Sequence, residues 1–376
     1  MSSDLVLKEL RLQLDSIDTQ ILDLLARRRD TVDTVTREKV KNRIPVYVAN
    51  REEDKVNRFR EAAMARGLDP EWAEDFLRMI MSASRANQSL STFPSATKVP
   101  KTWVIVGGGG AMGQLYHRMA LRSGHAVRII EKNDWGNAPE ILKGADVVII
   151  TVPIHHTEKV IAEIAPLLTQ HQILADFTSL KSAYLELMLE HHKGPVVGLH
   201  PMHGPDVPNL SKQLMVVCEG RRADEADWLI QQFGLWGMRI RKSHPEQHDR
   251  AMHLVQGLRH FVALLHASFM NRHELKPDDM LDFSSPIYRA ELMMTGRIFA
   301  QDAQLYADIV FSDEERLELL RDFLEHHKDL ADMVKTGDKE AFVREFSEAS
   351  AFFGDFADQA LTESGYLINR LADRFG

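Results

Sequence analysis

The stretch Val104-Ile-Val-Gly-Gly-Gly-Gly-Ala-Met-Gly113 joins a β-branched, strand-like run to the start of a helical pattern. Within it Gly108, Gly110 and Gly113 have the GxGxxG spacing, which permits a tight turn and lets a pyrophosphate approach the helix N-terminus. Glu131 closes the next strand-like run, 18 residues after Gly113, where an acid hydrogen-bonds the adenine ribose. Because a carboxylate repels a 2′-phosphate, the stretch predicts a Rossmann-like domain that prefers NAD to NADP.

Downstream of this stretch, six further short apolar runs alternate with helical stretches as far as about residue 243. Such alternation predicts a mostly parallel sheet with helices on both faces. After these runs the strand signals stop. The remaining residues have helical periodicity, which predicts helices over 248–271, 284–311, 313–335 and 339–375.

Upstream, apolar residues recur at helical spacing from Leu5 to about Val40, without Gly or Pro. A helix of that length spans roughly 50 Å, so other helices or a partner chain must cover it. Two shorter helical stretches follow, at about 50–66 and 70–89, and then a Ser/Thr/Pro-rich linker. We therefore predict a multidomain α and α/β chain: an all-α helical module (1–90), a linker (91–100), a Rossmann-like α/β domain (101–243) and an all-α C-terminal domain (244–376).

Composition excludes several classes of protein. The 376 residues are 44% hydrophobic and 27% charged, which is ordinary for a globular chain, and the net charge of −9 disfavours nucleic-acid binding. Cys218 is the single cysteine, so no disulfide framework exists, and its apolar neighbours predict a buried residue. No signal peptide or membrane-length apolar run is present, so we expect a cytoplasmic protein without a membrane partner. The adjacent histidine pairs lack metal-ligand spacing, so no metal is expected.

Polar residues follow three of the predicted strands, at 151–154, 176–181 and 198–206. Ligands of such sheets bind at the carboxyl ends of strands, so we expect Ser179 and His200 to face the nicotinamide together. A histidine is a suitable acceptor for a proton that leaves an alcohol, although His200 could instead brace the loop before Pro201. The residues expected to contact the cofactor are Gly108, Gly110, Ala111, Met112, Gly113, Glu131, Val152 and Pro153.

The motifs GGGGAMG, VPIH, DFTSLK and GLHPMHGPD, with the long run SSPIYRAELMMTGRIFAQDAQLYADI at 284–309, together resemble prephenate dehydrogenases. The N-terminal LLARR, Lys39 and the PVYV that precedes Arg51-Glu52 resemble an AroQ-type chorismate mutase. In this order they are similar to the bifunctional chorismate mutase/prephenate dehydrogenases of tyrosine biosynthesis. The resemblance implies two reactions: rearrangement of chorismate to prephenate, then NAD⁺-dependent oxidative decarboxylation to 4-hydroxyphenylpyruvate. It also implies a homodimer, with the C-terminal domain dimerising, and feedback inhibition by tyrosine.

In the dehydrogenase half, the resemblance implies that His200 hydrogen-bonds the prephenate C4 hydroxyl and helps to remove its proton. Ser179 would orient that hydroxyl or His200, and Arg297 would bind a carboxylate. Arg289 would be structural or assist Arg297, and His248 would help to roof the site. The sequence leaves the roles of Gln256 and His260 open.

Geometry along the first helix bears on the mutase half. Arg28 and Lys39 are 11 residues apart, hence on one face and about 16 Å apart along the axis, so both can reach one ligand. Arg11 lies 17 residues before Arg28, about 26 Å away, and can join that site only from a second protomer.

The resemblance assigns roles to these three mutase residues and to four others. Arg11, Arg28 and Arg51 match positions that bind the substrate carboxylates. Lys39 and Gln88 match the donors to the ether oxygen. Glu52 and Ser84 match residues that hold the ring hydroxyl.

Two alternatives remain at this stage. One is a monofunctional prephenate or arogenate dehydrogenase whose N-terminal helices only dimerise or regulate. The other is a non-catalytic NAD-binding sensor, which the combination of Ser179, His200 and Arg297 argues against.

Overall fold

The chain folds as two units, residues 1–246 and 247–376, in a computed structural model that describes residues 3–88 and 92–375. Three N-terminal helices and a seven-stranded sheet belong to the first unit, and the second consists of helices and turns. The predicted order of helical, α/β and helical segments is confirmed.

The N-terminal helices are α1 (Ser3–Lys41), α2 (Ala49–Met64) and α3 (Pro70–Gln88). The uninterrupted periodicity of α1 gives one helix of 39 residues. A small buried core of Val56, Leu77 and Met81 joins α2 to α3. Apolar residues along the first half of α1 stay exposed, Leu14 at 60% for example, so the chain itself does not cover that face.

The sheet has strand order β2-β1-β3-β4-β5-β6-β7, and all neighbours are parallel except β5 and β6. This confirms the mostly parallel sheet. Its strands are β1 (Thr102–Val106), β2 (Ala126–Ile130), β3 (Val147–Ile150), β4 (Ile173–Asp176), β5 (Val196–Pro201), β6 (Leu214–Glu219) and β7 (Arg239–Lys242). The helices of this part are α4 (Ala111–Arg122), α5 (Ala138–Leu142), α6 (Ile154–Ile164), α7 (Ser182–His191) and α8 (Asp227–Leu235).

Helices cover both faces of the sheet, as β1 illustrates. Trp103 and Ile105 point into one core and Val104 and Val106 into the other, because successive side chains of a strand alternate. Cys218 of β6 is buried, as predicted. Since β1, β3, β4 and β5 are adjacent and parallel, their carboxyl ends share one edge of the sheet, where a ligand can bind.

The C-terminal helices are shorter and more numerous than predicted. They are α9 (Pro245–Met252), a π-helical turn (His253–Leu258), α10 (Arg259–Arg272), α11 (Pro277–Leu281), α12 (Pro286–Phe299), α13 (Ala303–Val310), α14 (Glu314–Thr336), α15 (Lys339–Phe353) and α16 (Asp355–Phe375). None of the described helices is long and apolar enough to cross a membrane.

The prediction of one continuous helix was wrong for two stretches, because a helix cap interrupts each of them. The helix expected over 284–311 breaks after Phe299, where the Asp302 side chain accepts the Gln304 N–H at 3.0 Å and starts a new helix. The helix expected over 339–375 breaks at Gly354, whose φ of 50° ends α15.

Candidate functional site

A cavity of about 750 Å³ lies at the carboxyl edge of β1 and β3, and we call it the glycine-loop cavity. It brings together Gly110, Glu131, Val152 and Pro153 of the predicted cofactor residues. Its other described lining residues include two that the sequence interpretation missed, Gly107 and Trp135.

Close packing explains why the loop requires glycine. A Cβ at Gly113 would lie 2.7 Å from the Gly107 oxygen and 2.7 Å from the Gly108 Cα, so the helix could not approach the loop. Gly107 has φ of 78°, and its Cβ would lie 2.9 Å from a Val152 methyl group. That first glycine of the GGGG run is therefore as constrained as the three in the GxGxxG pattern.

The N-terminus of α4 fits a pyrophosphate. Gly110 is the N-cap and supplies no side chain, so the first amide groups of α4 have no side-chain cap. Ala111 is exposed at the first helical position, whereas Met112 packs partly buried against the core.

Glu131 follows β2 and closes the other side of the glycine loop. Its Oε1 accepts a hydrogen bond from the Gly109 N–H, and its own N–H donates to Asp134 at 2.8 Å. The carboxylate is therefore held in the cavity beside the loop, where it can meet a ribose. Its contact with the ribose stays a prediction.

Ser179 and His200 lie at the carboxyl ends of the adjacent strands β4 and β5. His200 is buried within β5, paired with Val216 of β6, whereas Ser179 is half-buried in the loop after β4. The parallel pairing of β4 and β5 thus places both on the expected edge.

A buried ion pair supports this edge, and the sequence interpretation missed it. The Lys181 ammonium and the Thr178 hydroxyl both donate to the Asp176 carboxylate, and Lys181 also donates to the Leu199 carbonyl at 2.9 Å. Lys181 therefore ties the end of β4 to the residue before His200. The sequence signal that could have indicated this ion pair is the set of polar residues Asp176, Thr178 and Lys181 within the DFTSLK motif.

A second histidine follows on the next loop. His203 Nε2 lies 3.2 Å from the Tyr116 hydroxyl and Nδ1 lies 2.9 Å from the Gly204 oxygen. Burial lowers the pKa of His203 and raises that of Tyr116 well above its usual range. Both groups are consequently uncharged at neutral pH.

The N-terminal helices enclose a second cavity of about 350 Å³, which we call the helical cavity. Its lining includes five of the residues predicted for the mutase half, namely Arg28, Lys39, Arg51, Glu52 and Ser84. Arg11 is not among the described lining residues, as expected from its distance along α1. The side chain of Gln88 lies outside the described part of the chain.

The helical cavity is strongly basic. Among the described residues that line it, one is a carboxylate, Glu52, and five are cations: Arg28, Lys39, Arg51, Lys55 and Arg85. Burial lowers the pKa of Lys39, and the nearby charge of Arg51 lowers it further. Such an excess of cations suits a dianionic ligand.

Hydrogen bonds fix the polar groups of the helical cavity. Arg28 Nη1 donates to Ser84 Oγ at 2.6 Å, and Lys39 Nζ donates to the carbonyl of Val46 at 2.8 Å. Glu52 accepts from Arg85 Nη1 at 2.7 Å and from the Lys212 ammonium. The Glu52 carboxylate, predicted to hold a ring hydroxyl, is therefore already hydrogen-bonded by two cations, and Arg78 Nη1 lies 3.8 Å from its Oε1.

The second unit carries the remaining predicted residues. His248 is buried, with Nδ1 2.8 Å from the Asp249 carboxylate, and Arg289 and Arg297 both lie on α12. Arg297 is exposed and Arg289 half-buried. These placements are compatible with an assisting Arg289 and a ligand-binding Arg297, roles that stay predictions.

His260, whose role the sequence left open, follows the π-helical turn that contains Gln256. Its ring packs edge-on against Tyr306, with centroids 4.8 Å apart. Burial, with the charges of Arg259 and Arg316, lowers the pKa of His260 to about 4. It is therefore a neutral, half-buried histidine at neutral pH.

Comparison with known proteins identifies both halves. Family models match at residues 10–89 (chorismate mutase type II), 115–230 (prephenate dehydrogenase, nucleotide-binding domain) and 244–348 (prephenate dehydrogenase, dimerization domain). The T-protein of Enterobacter agglomerans is 40% identical over 367 residues, 98% of each chain. The T-protein of Haemophilus influenzae is 37% identical over 98% of this chain and 97% of its own.

A solved structure shares the dehydrogenase fold. The prephenate dehydrogenase from A. aeolicus, in complex with hydroxyphenyl propionate and NAD⁺, superposes with a TM-score of 0.55 at 17% identity, covering 68% of this chain and 98% of that chain. The three family models and the full-length relatives show a chorismate mutase segment followed by a prephenate dehydrogenase segment in one chain. The chain belongs to the T-protein family, whose members join a type II chorismate mutase to a prephenate dehydrogenase.

Proposed function

We propose that this chain performs both reactions itself, rearranging chorismate to prephenate and then oxidising prephenate with NAD⁺ to 4-hydroxyphenylpyruvate and CO₂. The observation that carries the proposal is the presence, in one chain, of a basic helical cavity and a glycine-loop cavity with an acidic neighbour. Functionally we divide the chain into a mutase segment (1–90), a linker (91–100), a nucleotide-binding segment (101–243) and a C-terminal segment (244–376).

Chorismate is a small dianion that rearranges pericyclically, so the mutase needs no nucleophile. The protein must hold two carboxylates and place donors at the breaking ether oxygen. Arg28 and Arg51 bind the carboxylates, and Lys39 donates to the ether oxygen. Because the Arg28–Ser84 bond fixes the guanidinium before chorismate binds, little rearrangement is required.

The mutase site is completed by a second protomer. Arg11 is too far along α1 to reach the helical cavity of its own chain, and apolar residues around it, including Leu10 and Leu14, are exposed. A partner copy of α1 would cover this face and supply Arg11. The chain therefore acts as a homodimer.

In the dehydrogenase half, NAD⁺ supplies the acceptor for the hydride that leaves prephenate C4. His200 accepts the proton of the C4 hydroxyl, and Ser179 orients that hydroxyl. Lys181 and Asp176 hold the backbone before His200 in place. Arg297 binds a prephenate carboxylate. Aromatisation on loss of CO₂ supplies the driving force, so orientation and a proton acceptor suffice.

Two further properties follow from the family alone and are proposals: inhibition by tyrosine and a cytoplasmic location. The coupled assay that tests the main proposal supplies chorismate with and without NAD⁺. Loss of chorismate in both conditions, and NADH only in the second, is expected. Failure to consume chorismate without NAD⁺ would support the monofunctional dehydrogenase instead. Failure to form NADH from prephenate would support the alternative in which the nucleotide-binding part is a non-catalytic NAD sensor.

A further inference from the structure

The segment after α1 is anchored on the sheet of the same unit. The Val46 N–H donates to the Leu235 carbonyl at 3.2 Å, and the Val46 side chain is buried in a core of the sheet. Beside it, a Cβ at Gly237 would lie 3.1 Å from the Tyr47 Cβ, so only glycine lets the two segments pack this closely. The mutase residues around Val46 thus depend on the nucleotide-binding segment for their position.

That segment also sends a lysine toward the mutase. Lys212 lies in the loop between β5 and β6, and its ammonium donates to Glu52 Oε1. The same ammonium lies 5.0 Å from the centre of the Tyr47 ring, a cation–π contact. Glu52 and Lys212 are 160 residues apart, so this ion pair exists only because the two segments are packed together.

Glu52 is held from two sides. Its Oε2 accepts from Arg85 of α3 at 2.7 Å while its Oε1 accepts from Lys212, and the Glu52 side chain is only 11% exposed. Arg78 Nη1 lies 3.8 Å from Oε1, beyond hydrogen-bond distance, so Lys212 is the hydrogen-bonded cation on that oxygen. A nearly buried carboxylate with a hydrogen-bonded cation on each oxygen has one fixed orientation. Among the described residues that line the helical cavity, Glu52 is present and Lys212 is not. Lys212 therefore lies behind Glu52, away from the ligand.

The backbone of Lys212 is also unusual. Its φ of 67° is a conformation that residues with a side chain rarely adopt. Its N–H donates to the Gly237 carbonyl at 2.8 Å, which holds the loop in this conformation next to Tyr47. The strained turn directs the lysine at Glu52.

We propose that Lys212 is a positioning residue of the chorismate mutase site, supplied by the nucleotide-binding segment, which acts by fixing the Glu52 carboxylate. The proposal rests on the proposed mutase function and extends it. In physical terms, the orientation of Glu52, a residue that lines the mutase cavity, depends on a side chain from the dehydrogenase half. Lys212 belongs to the loop that directly follows β5, the strand of His200.

The test uses full-length variants assayed for both activities. Lys212→Met keeps a long side chain at this positive-φ position but removes the charge. Mutase kcat/KM should fall about tenfold, which corresponds to the loss of one hydrogen bond to a charged group. Prephenate oxidation should stay within about twofold of wild type, and Lys212→Arg should restore most of the mutase activity. Lys143→Met is the matched control: this lysine, also of the nucleotide-binding segment, faces Glu140 at 3.8 Å in an exposed pair. It should leave both activities unchanged.

A double variant separates positioning from a general structural effect. If Lys212 acts through Glu52, Lys212→Met combined with Glu52→Gln should lose no more mutase activity than Glu52→Gln alone. Additive losses, equal losses of both activities in Lys212→Met, or a Lys212→Met mutase equal to wild type would each overturn the proposal. A wild type that fails to convert chorismate without NAD⁺ would instead overturn the proposed function itself.

Discussion

Arg28 Nη1 donates a 2.6 Å hydrogen bond to Ser84 Oγ, although the two residues are 56 positions apart on different helices. The next residue, Arg85, donates to Glu52 of α2 at 2.7 Å. These two bonds connect all three N-terminal helices at the helical cavity. The guanidinium groups of Arg28 and Arg85 are thus held in place by contacts between the helices.

His200 should be the proton acceptor of the dehydrogenase. In His200→Asn the amide still hydrogen-bonds the C4 hydroxyl but cannot accept its proton, so dehydrogenase kcat should fall by about 10²–10⁴. NADH formation from prephenate measures the loss, and chorismate consumption should not change. A variant within about threefold of wild type would remove His200 from this role.

Arg297 should act on prephenate binding. Replacing it in Arg297→Gln removes a charge-assisted pair with a carboxylate, which costs roughly 2–5 kcal/mol. KM for prephenate should rise while NAD⁺ affinity stays the same, as measured by initial rates and by cofactor titration. Arg321→Gln, an exposed arginine of α14 paired with Glu314, is the control. Equal weakening of both ligands in Arg297→Gln would indicate misfolding rather than a binding role.

Glu131 should set the choice of cofactor. Wild type should prefer NAD⁺ strongly, because a 2′-phosphate would meet the carboxylate beside the glycine loop. In Glu131→Gln the amide oxygen can still accept the Gly109 N–H, but the charge is lost, so the preference should narrow by about tenfold or more. The ratio of kcat/KM for the two cofactors measures this. Comparable values in wild type would show that Glu131 does not contact the ribose.

Arg11 should act across the dimer. Arg11→Ala and Lys39→Ala should each nearly abolish mutase activity. In a mixed dimer, which has one chain of each variant, one site carries both substitutions and the other site carries neither. Co-expression in equal amounts should therefore recover about one quarter of the wild-type activity, since half of the dimers are mixed. Prephenate oxidation serves as the internal control. A mixture with no recovery would place Arg11 in its own chain's site, and an Arg11→Ala variant that keeps mutase activity would place Arg11 outside any site.

The pH dependence of the mutase should follow Lys39. Its ammonium must stay protonated to carry the charge that it donates, and burial together with Arg51 lowers its pKa. A lowered pKa means that the proton is lost at a lower pH than in an ordinary lysine, near 10.4. Mutase kcat/KM should therefore fall on the alkaline side before an ordinary lysine would titrate. A profile that is flat to pH 10.4 would contradict this.

Replacing Gln88 should also change the pH dependence of the mutase activity. An amide donates to the ether oxygen at any pH, whereas a carboxyl group must be protonated to donate. Gln88→Glu should therefore introduce a loss of mutase activity at neutral pH that wild type lacks, measured from about pH 5 to pH 9. Superimposable profiles would show that residue 88 does not touch the ether oxygen.

Local patterns in the sequence were enough to predict much of this protein. The GxGxxG spacing and Glu131 predicted the cofactor cavity because a strand, a turn and a helix N-terminus adjacent in sequence are adjacent in space. The spacing of Arg28 and Lys39 placed both at one cavity because a helix has a fixed rise and repeat. The breaks near Asp302 and at Gly354 were missed, since caps and a positive φ override apolar periodicity.

Only the tertiary structure decided which distant groups meet. Lys181 reaches the Leu199 carbonyl because β4 and β5 pair side by side, and Lys39 is fixed by the Val46 carbonyl because Val46 is anchored on Leu235. Glu52 is bound by Lys212 through the packing of two segments far apart in sequence. No local periodicity specifies such pairs, because each depends on how separate segments pack to bury their apolar surfaces and satisfy their backbone hydrogen bonds.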